Sequence, residues 1–221
     1  MSGFIVHSIP GSPFGRAALA TLEEKGAAYR LAVPPPGGLK APEHLARNPF
    51  GRIPVLEHDG FLLYETQAIL RYLDRVLPEP ALTPADPRMA ARMDQVMGVN
   101  DWYLVQGVGN VIAFQRVVGP RLMGLVPDEA AIAAAMPLAH MVVDELARLL
   151  GDQEFFTGAA LSLADLLVFP QLEFLSMAPE WAALGGPHRN VMAWLARMAA
   201  RPSMQATAWE RLAERAKAEA G

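Results

Sequence analysis

Cysteine is absent from all 221 residues. No disulfide framework, thiolate zinc site or protein-thiol nucleophile is therefore available. Excess basic charge is absent too. Lys and Arg number 19 against 23 Asp and Glu, giving a formal net charge of −4 and a pI near 5.7. That balance argues against a nucleic-acid partner, which would require a basic stripe. Charged residues make up only 19% of the chain and hydrophobic ones 52%, so a packed core is easily built and wholesale disorder is excluded. Long apolar runs are missing: Leu161 to Met177 is broken by Asp165, Pro170 and Glu173. No stretch reaches the roughly 20 residues of a membrane span. Met1 to Pro10 lacks the basic region and long apolar run of a secretory leader. The expectation is a cytoplasmic protein with no membrane span. His7, His44, His58, His140 and His188 are scattered, with no pair at metal-ligand spacing beside carboxylates, so no metal is expected. Gly107-Val108-Gly109 lacks the rest of a nucleotide fingerprint.

Proline, by contrast, is plentiful and unevenly placed. Pro78, Pro80, Pro84 and Pro87 crowd one short segment, which suits a linker. The expected division is a first domain over 1–78, a linker over 79–88 and a second domain over 89–221. Strands and helices alternate before the linker. Phe4 to Ile9 is a short apolar run ended by Gly11-Ser12-Pro13, and Phe14 to Lys25 has helical spacing that stops at Gly26. Tyr29 to Val33 is expected as a strand and Pro34 to Gly38 as a loop. Ile53 to Glu57 and Phe61 to Tyr64 flank His58-Asp59-Gly60, a tight hairpin signal. Glu65 to Leu77 is helical, with Ile69, Leu73, Val76 and Leu77 on one face. After the linker only helices are expected: 89–118, weakened by Gly98, Gly107 and Gly109; 128–150, with a kink expected at Pro137; 162–177; 188–200; and 203–218. The fold class is α/β plus all-α, a thioredoxin-like sheet domain followed by a helical bundle.

Three motifs follow one another along this frame. Gly11-Ser12-Pro13-Phe14-Gly15-Arg16 follows the first strand. Asn48-Pro49-Phe50-Gly51-Arg52-Ile53-Pro54-Val55-Leu56 leads into Leu63-Tyr64-Glu65-Thr66-Gln67-Ala68-Ile69. Thr157-Gly158 and Leu161-Ser162-Leu163-Ala164-Asp165 lie in the helical half. Together they resemble the glutathione transferase family over nearly the whole chain, and Lys40 to Leu73 is most similar to its phi class.

The resemblance implies specific roles. It implies a cis bond before Pro54, which turns Ile53 outward so that its N–H and C=O meet an extended peptide like an added strand. Thr66 and its backbone N–H are implied to hold the γ-glutamyl carboxylate of glutathione, and Glu65 the α-amino group. A helix N-terminus suits a carboxylate because its N–H groups are free and its dipole is positive there. Capping alone is the plainer reading of Thr66. Lys40 is implied to meet the glycine carboxylate. Leu39 stands where phi-class members usually have histidine, and Arg52 where they usually have glutamine, so Arg52 is a second candidate for that carboxylate.

Ser12 is the implied catalytic residue. A free thiol has a pKa of about 8.5 and is mostly protonated at neutral pH. A hydroxyl donor at the start of a helix stabilises the thiolate. Glutathione, a substrate rather than a resident cofactor, then does the attacking. Ser12-Pro13 is equally an N-cap followed by proline at the first helical position, and Ser8 is a second hydroxyl nearby. Phe14 is a candidate pocket wall, and Arg16 a source of positive potential. Ser162 to Asp165 reads as a capping box that serves folding. The helical domain is expected to contribute a hydrophobic second-substrate site, with Met97, Asp101 and Phe114 as candidates there.

The expected activity is conjugation of glutathione to a small-molecule electrophile, by a homodimer in which Phe50 inserts into the partner. Peroxidase, dehalogenase, isomerase and lyase chemistry start from the same thiolate. Members that form a mixed disulfide with the protein are excluded by the missing cysteine. A non-catalytic ligand carrier or scaffold is the reading from another class.

Overall fold

A computed structural model describes residues 3–35 and 37–220, the side chains of 219 and 220 apart. Pro36, in the loop expected over Pro34 to Gly38, lies outside the described residues, as do Met1 and Ser2. The chain falls into two compact units. One takes in Met1–Leu82 and Ala199–Gly221, the other Thr83–Met198. This division differs from the expected one, which ran the helical domain from 89 to 221: the last two helices group with the sheet.

The first unit is built on a four-stranded mixed sheet in the order β2-β1-β3-β4. The strands are β1 (Phe4–His7), β2 (Tyr29–Ala32), β3 (Val55–His58) and β4 (Phe61–Tyr64). β1 runs parallel to β2 and antiparallel to β3, and β3 pairs antiparallel with β4. This is the thioredoxin-like arrangement that the element order predicts. His58 faces Phe61 across the hairpin, leaving a two-residue turn at Asp59 and Gly60 with φ of 51° and 83°. Both values lie in the left-handed region that such a turn requires. β1 stops at His7 rather than reaching Ile9, and Ser8 makes one last backbone bond to Ala32.

Helices α1 (Pro13–Glu24), α2 (Pro42–Leu45) and α3 (Thr66–Val76) complete the N-terminal part of this unit. α1 follows the expected span and is buried from Gly15 to Leu22. α3 buries Ile69, Leu70 and Leu73, whereas Val76, expected on the core face, is 39% exposed. At the C-terminal end of α1, Lys25 Nζ is buried against Asp74 Oδ1 at 2.6 Å. The other side of Asp74 Oδ1 takes the Leu82 N–H at 2.9 Å. The Glu79–Pro80 bond in this stretch is cis.

The second unit is helical: α4 (Pro87–Val99), a π-wound segment (Asn100–Val118), α5 (Gly119–Met123), α6 (Glu129–Leu150), α7 (Leu163–Ser176) and α8 (Trp181–Leu184). Asp86 caps α4 by accepting from the N–H groups of Arg88 and Met89. The single helix expected over 89–118 widens at Asn100, where the first of the helix-weakening residues has just been passed. Its end carries a bond from the Gly119 N–H back five residues to the Phe114 carbonyl. Arg116 anchors this segment by bonding the carboxylates of both Glu129 and Glu180. α7 is the central helix and is buried almost all round.

α6 needs one correction to the sequence reading. It has 22 residues with a mean hydropathy of 1.4, which is long and apolar enough to cross a membrane. The apolar stretch is nevertheless a core face: Ile132, Ala135, Ala139, Val142, Val143 and Leu146 recur at helical spacing and are buried.

α9 (Arg189–Ala199) leads out of this unit, and α10 (Pro202–Ala206) and α11 (Trp209–Ala220) follow. The one helix expected over 203–218 is therefore two. The break falls at Thr207, whose hydroxyl bonds back to the Ser203 carbonyl at 2.7 Å and so competes with helix propagation.

Candidate active site

Sheet register explains which residues meet. His7 pairs with Val55, and Val55 with Tyr64. The C-terminal end of β1, the entry to β3 and the exit of β4 therefore share one end of the sheet. The next residues outward are Ser8, Pro54 and Glu65. The turn carrying Ser12, the Ile53–Pro54 step and the start of α3 are thus gathered at one place. The Ile53–Pro54 bond is cis.

Ser12 is the N-cap of α1, with φ −76° and ψ 116°. Its Oγ accepts from the Gly15 N–H at 3.1 Å. No acidic residue stands in the first turn of α1, so the positive end of that helix is not neutralised from within. Ser8 is fully buried, and its Oγ finds no partner among the described residues. A methyl group on Gly15 would come within 2.0 Å of that oxygen, so only glycine lets the first turn of α1 press down on β1. Arg16 is buried and donates from Nη2 to the Met204 carbonyl at 2.9 Å. Its guanidinium is a structural tie between α1 and that carbonyl.

At α3 the geometry is unusual. Glu65 has φ 68° and ψ 113°, a left-handed value for a residue with a side chain. Such outliers persist where the surroundings over-determine them and cluster at binding sites. Glu65 is exposed and makes no capping bond with its side chain, while Thr66, the first residue of α3, is buried. The N-terminal N–H groups and dipole of an 11-residue helix are thereby left facing the same end of the sheet.

Lys40 and Arg52 are both exposed. Gly51 brings their loops together. It has φ 62°, and a methyl group there would come within 2.9 Å of the Leu39 carbonyl and 3.1 Å of Lys40 Nζ. Two residues that sequence reasoning passed over hold this loop. His44 Nε2 and Asn48 Nδ2 donate to the Arg52 carbonyl at 2.9 and 3.1 Å, and the Phe50 N–H donates to Asn48 Oδ1 at 3.0 Å. Both side chains are buried. Asn48 was visible as the head of the second motif. His44 was one histidine among five, and no local pattern marks a side chain whose partner lies eight residues on.

Of the remaining candidates, Met97, Asp101 and Phe114 stand apart from this cluster in the chain, and Phe14 lies beside Ser12. Phe14, in the first turn of α1, is half-buried. Met97 in α4 is fully buried. Asp101 accepts from Asn100 Nδ2 at 2.9 Å, and Phe114 is half-buried on the π-wound segment. No group of metal-ligating side chains occurs among the described residues.

Comparisons with known proteins show the family. Residues 6–81 match the glutathione S-transferase N-terminal domain family and residues 129–197 its C-terminal counterpart. The chain belongs to the glutathione S-transferase family. It is 35% identical over 200 residues to glutathione S-transferase 4 of Zea mays, covering 87% of this chain and 86% of that one. It is 33% identical over 194 residues to the probable glutathione S-transferase GSTF2 of Oryza sativa subsp. japonica, covering 86% and 88%. Other curated relatives also carry plant F-class names, the phi class of the family. Among solved structures, glutathione S-transferase-I bound with lactoylglutathione superposes with a TM-score of 0.81 at 28% identity, covering 93% of this chain and 98% of that one. With relatives of this kind over most of its length, the chain is a glutathione transferase.

Proposed function

We propose that this transferase joins the thiolate of glutathione to an electrophilic apolar compound, with the Ser12 hydroxyl donating to the sulfur. The observation that carries the reading is the Gly15 N–H···Oγ bond. It occupies a lone pair of Ser12 and leaves the hydroxyl proton for an acceptor. Capping α1 and stabilising an anion are therefore compatible tasks for one side chain. The α1 dipole adds to the same effect.

The rest of the tripeptide runs along the sheet end. The α3 N-terminus at Thr66 receives the γ-glutamyl carboxylate, and Glu65 the amino group, its strained backbone turning the carboxylate outward. Ile53 offers its backbone ahead of the ladder that begins at Val55. Lys40 and Arg52, drawn together at Gly51, take the glycine carboxylate. Phe14 in the first unit and Phe114 in the second, each half-buried, are separate apolar candidates for the second substrate; Met97 has no surface to offer. No metal enters this reading. The cytoplasm is the assigned compartment, because its reducing poise keeps glutathione as the thiol.

Titration of the ultraviolet thiolate band of bound glutathione against pH tests the proposal in the native protein and in Ser12→Ala. The native band is expected to persist well below the free-thiol pKa of about 8.5, and the variant to titrate about one to two units higher, the worth of one hydrogen bond to an anion. Identical titration would leave Ser12 only a cap.

We further propose a two-fold dimer. Phe50 is 63% exposed and sits edge-on to Tyr64 with ring centroids 6.1 Å apart. It is an apolar anchor projecting from a loop that His44 and Asn48 hold rigid. Sedimentation equilibrium should give a dimer for the native chain and a mass shifted toward monomer for Phe50→Ala; a native monomer would end the proposal.

A further inference from the structure

The last helices of the chain meet α1 and the turn that leads into it at three points. Just ahead of the helix, the Trp209 indole lies against Gly11. A methyl group on Gly11 would come within 2.5 Å of Trp209 Cε2 and 2.9 Å of Cζ2, and Gly11 itself has φ 85°. In the first turn, Arg16 Nη2 bonds the Met204 carbonyl at 2.9 Å. At the far end, Glu24 accepts from Arg201 Nε and Nη2 at 2.8 and 2.7 Å and from the Ser203 hydroxyl. Gly11 and Arg16, the first two of these points, bracket Ser12.

The turn that carries Ser12 is held by bonds of its own on either side of that residue: the Ser12 N–H bonds the Ile9 carbonyl at 3.2 Å, the Ser12 carbonyl accepts from the Arg16 N–H at 2.8 Å, and Oγ accepts from Gly15. A hydrogen bond to sulfur is directional, and its strength falls steeply with misalignment. A flat ring packed on a residue without a side chain, one position before the serine, removes the space into which the turn would relax. Glycine is required at 11 on two counts: the left-handed backbone and the close approach of the indole.

We propose that Trp209 is a positioning residue for the reaction. By pressing on Gly11 it fixes the backbone at Ser12 and so aims the Ser12 hydroxyl at the glutathione sulfur. The proposal rests on the reading of Ser12 as the thiolate donor. It makes the acidity of the bound thiol depend on the C-terminal segment, which is bonded to α1 through Arg16 and Glu24.

The test uses the full-length chain with Trp209→Ala and Trp209→Phe. Three quantities are measured: the thiolate titration of bound glutathione, the Kd for S-methylglutathione, which has no thiol to ionise, and the exchange rate of the Gly15 amide. In Trp209→Ala the thiol should titrate about one unit higher, roughly a tenfold loss of thiolate on the acid side. Binding of S-methylglutathione should change by less than about twofold, and the Gly15 amide should exchange several-fold faster as its bond to Ser12 loosens. Trp209→Phe should restore most of both effects. An unchanged titration and unchanged exchange in Trp209→Ala would overturn the proposal. So would an equal loss of S-methylglutathione binding, which would mean that the whole site had slackened. If Trp209→Ala does not fold, Trp209→Leu, which keeps apolar bulk without the flat ring, carries the same readouts. A native protein with no thiolate band would instead remove the reading of Ser12; a fast Gly15 exchange in the variant would then still show Trp209 holding the turn, but not aiming a donor at sulfur.

Discussion

At the scale of single residues, the role proposed for Ser12 joins two demands that pull apart under substitution. As a cap it needs an acceptor for the Gly15 N–H, and as a thiolate donor it needs a proton. Aspartate supplies the first and not the second. Ser12→Asp should therefore keep the stability of the native protein within about 0.5 kcal/mol, since Asp and Ser cap about equally well. It should also lose the low-pH thiolate band, because a carboxylate beside sulfur repels the anion. Ser12→Ala should lose both, with about 1 kcal/mol of stability and a turnover reduced on the order of 10²-fold. Urea denaturation and the thiolate titration, run on both variants, separate the two tasks. If Ser12→Asp titrated like the native chain, the hydroxyl proton would have no part in the chemistry. Other residues at this site were legible only through resemblance. Nothing in the local sequence of Glu65 announces φ 68°; that value is set by the exit of β4 into α3, a tertiary constraint.

At the scale of elements, the pattern of success is physical. The Asp59-Gly60 hairpin and the spans of α1 and α3 were readable because turn chemistry and capping are local. The widening of the helix at Asn100 and the break at Thr207 were not, because helical periodicity is blind to small changes in winding and to a hydroxyl that bonds its own backbone. Ser162 to Asp165 lies between these cases. The capping box is a local signal, and it is present: the Ser162 N–H and Oγ donate to Asp165 Oδ2 at 3.0 and 2.7 Å. Two further donors are not local. The Phe156 N–H and Trp194 Nε1 reach Asp165 Oδ1 at 3.0 and 2.9 Å. Asp165 is fully buried, and burial raises its pKa against the pull of these four donors. The two box residues are therefore unequal, although the local motif treats them as a pair. Ser162→Ala should cost about 1 kcal/mol, the worth of one cap. Asp165→Ala strands buried donors at both ends of the box and should cost about 3 kcal/mol or more. Urea midpoints of the two variants decide this; equal shifts would reduce Asp165 to a cap.

At the scale of the whole molecule, the chain's return to its first unit has a consequence for acid stability. Glu24, at the end of α1, is pushed up by burial, but its bonds to Arg201 and Ser203 outweigh that and hold its carboxyl below the ordinary value of 4.5. A carboxyl with a lowered folded-state pKa contributes stability that is present above the unfolded value and is lost as pH falls through the folded one. The tie between α1 and the segment carrying α10 and α11 should therefore be intact at neutral pH and weaken only below about pH 4.5. Glu24→Gln should lower stability by about 1 kcal/mol at pH 7, a modest figure because both partners keep some contact with water. The gap to the native protein should narrow on going to pH 3, as the native carboxyl progressively takes up its proton. Denaturation at the two pH values measures it. A gap that held constant would show that shape and packing at Glu24, rather than its charge, keep the last helices against the helix that bears Ser12.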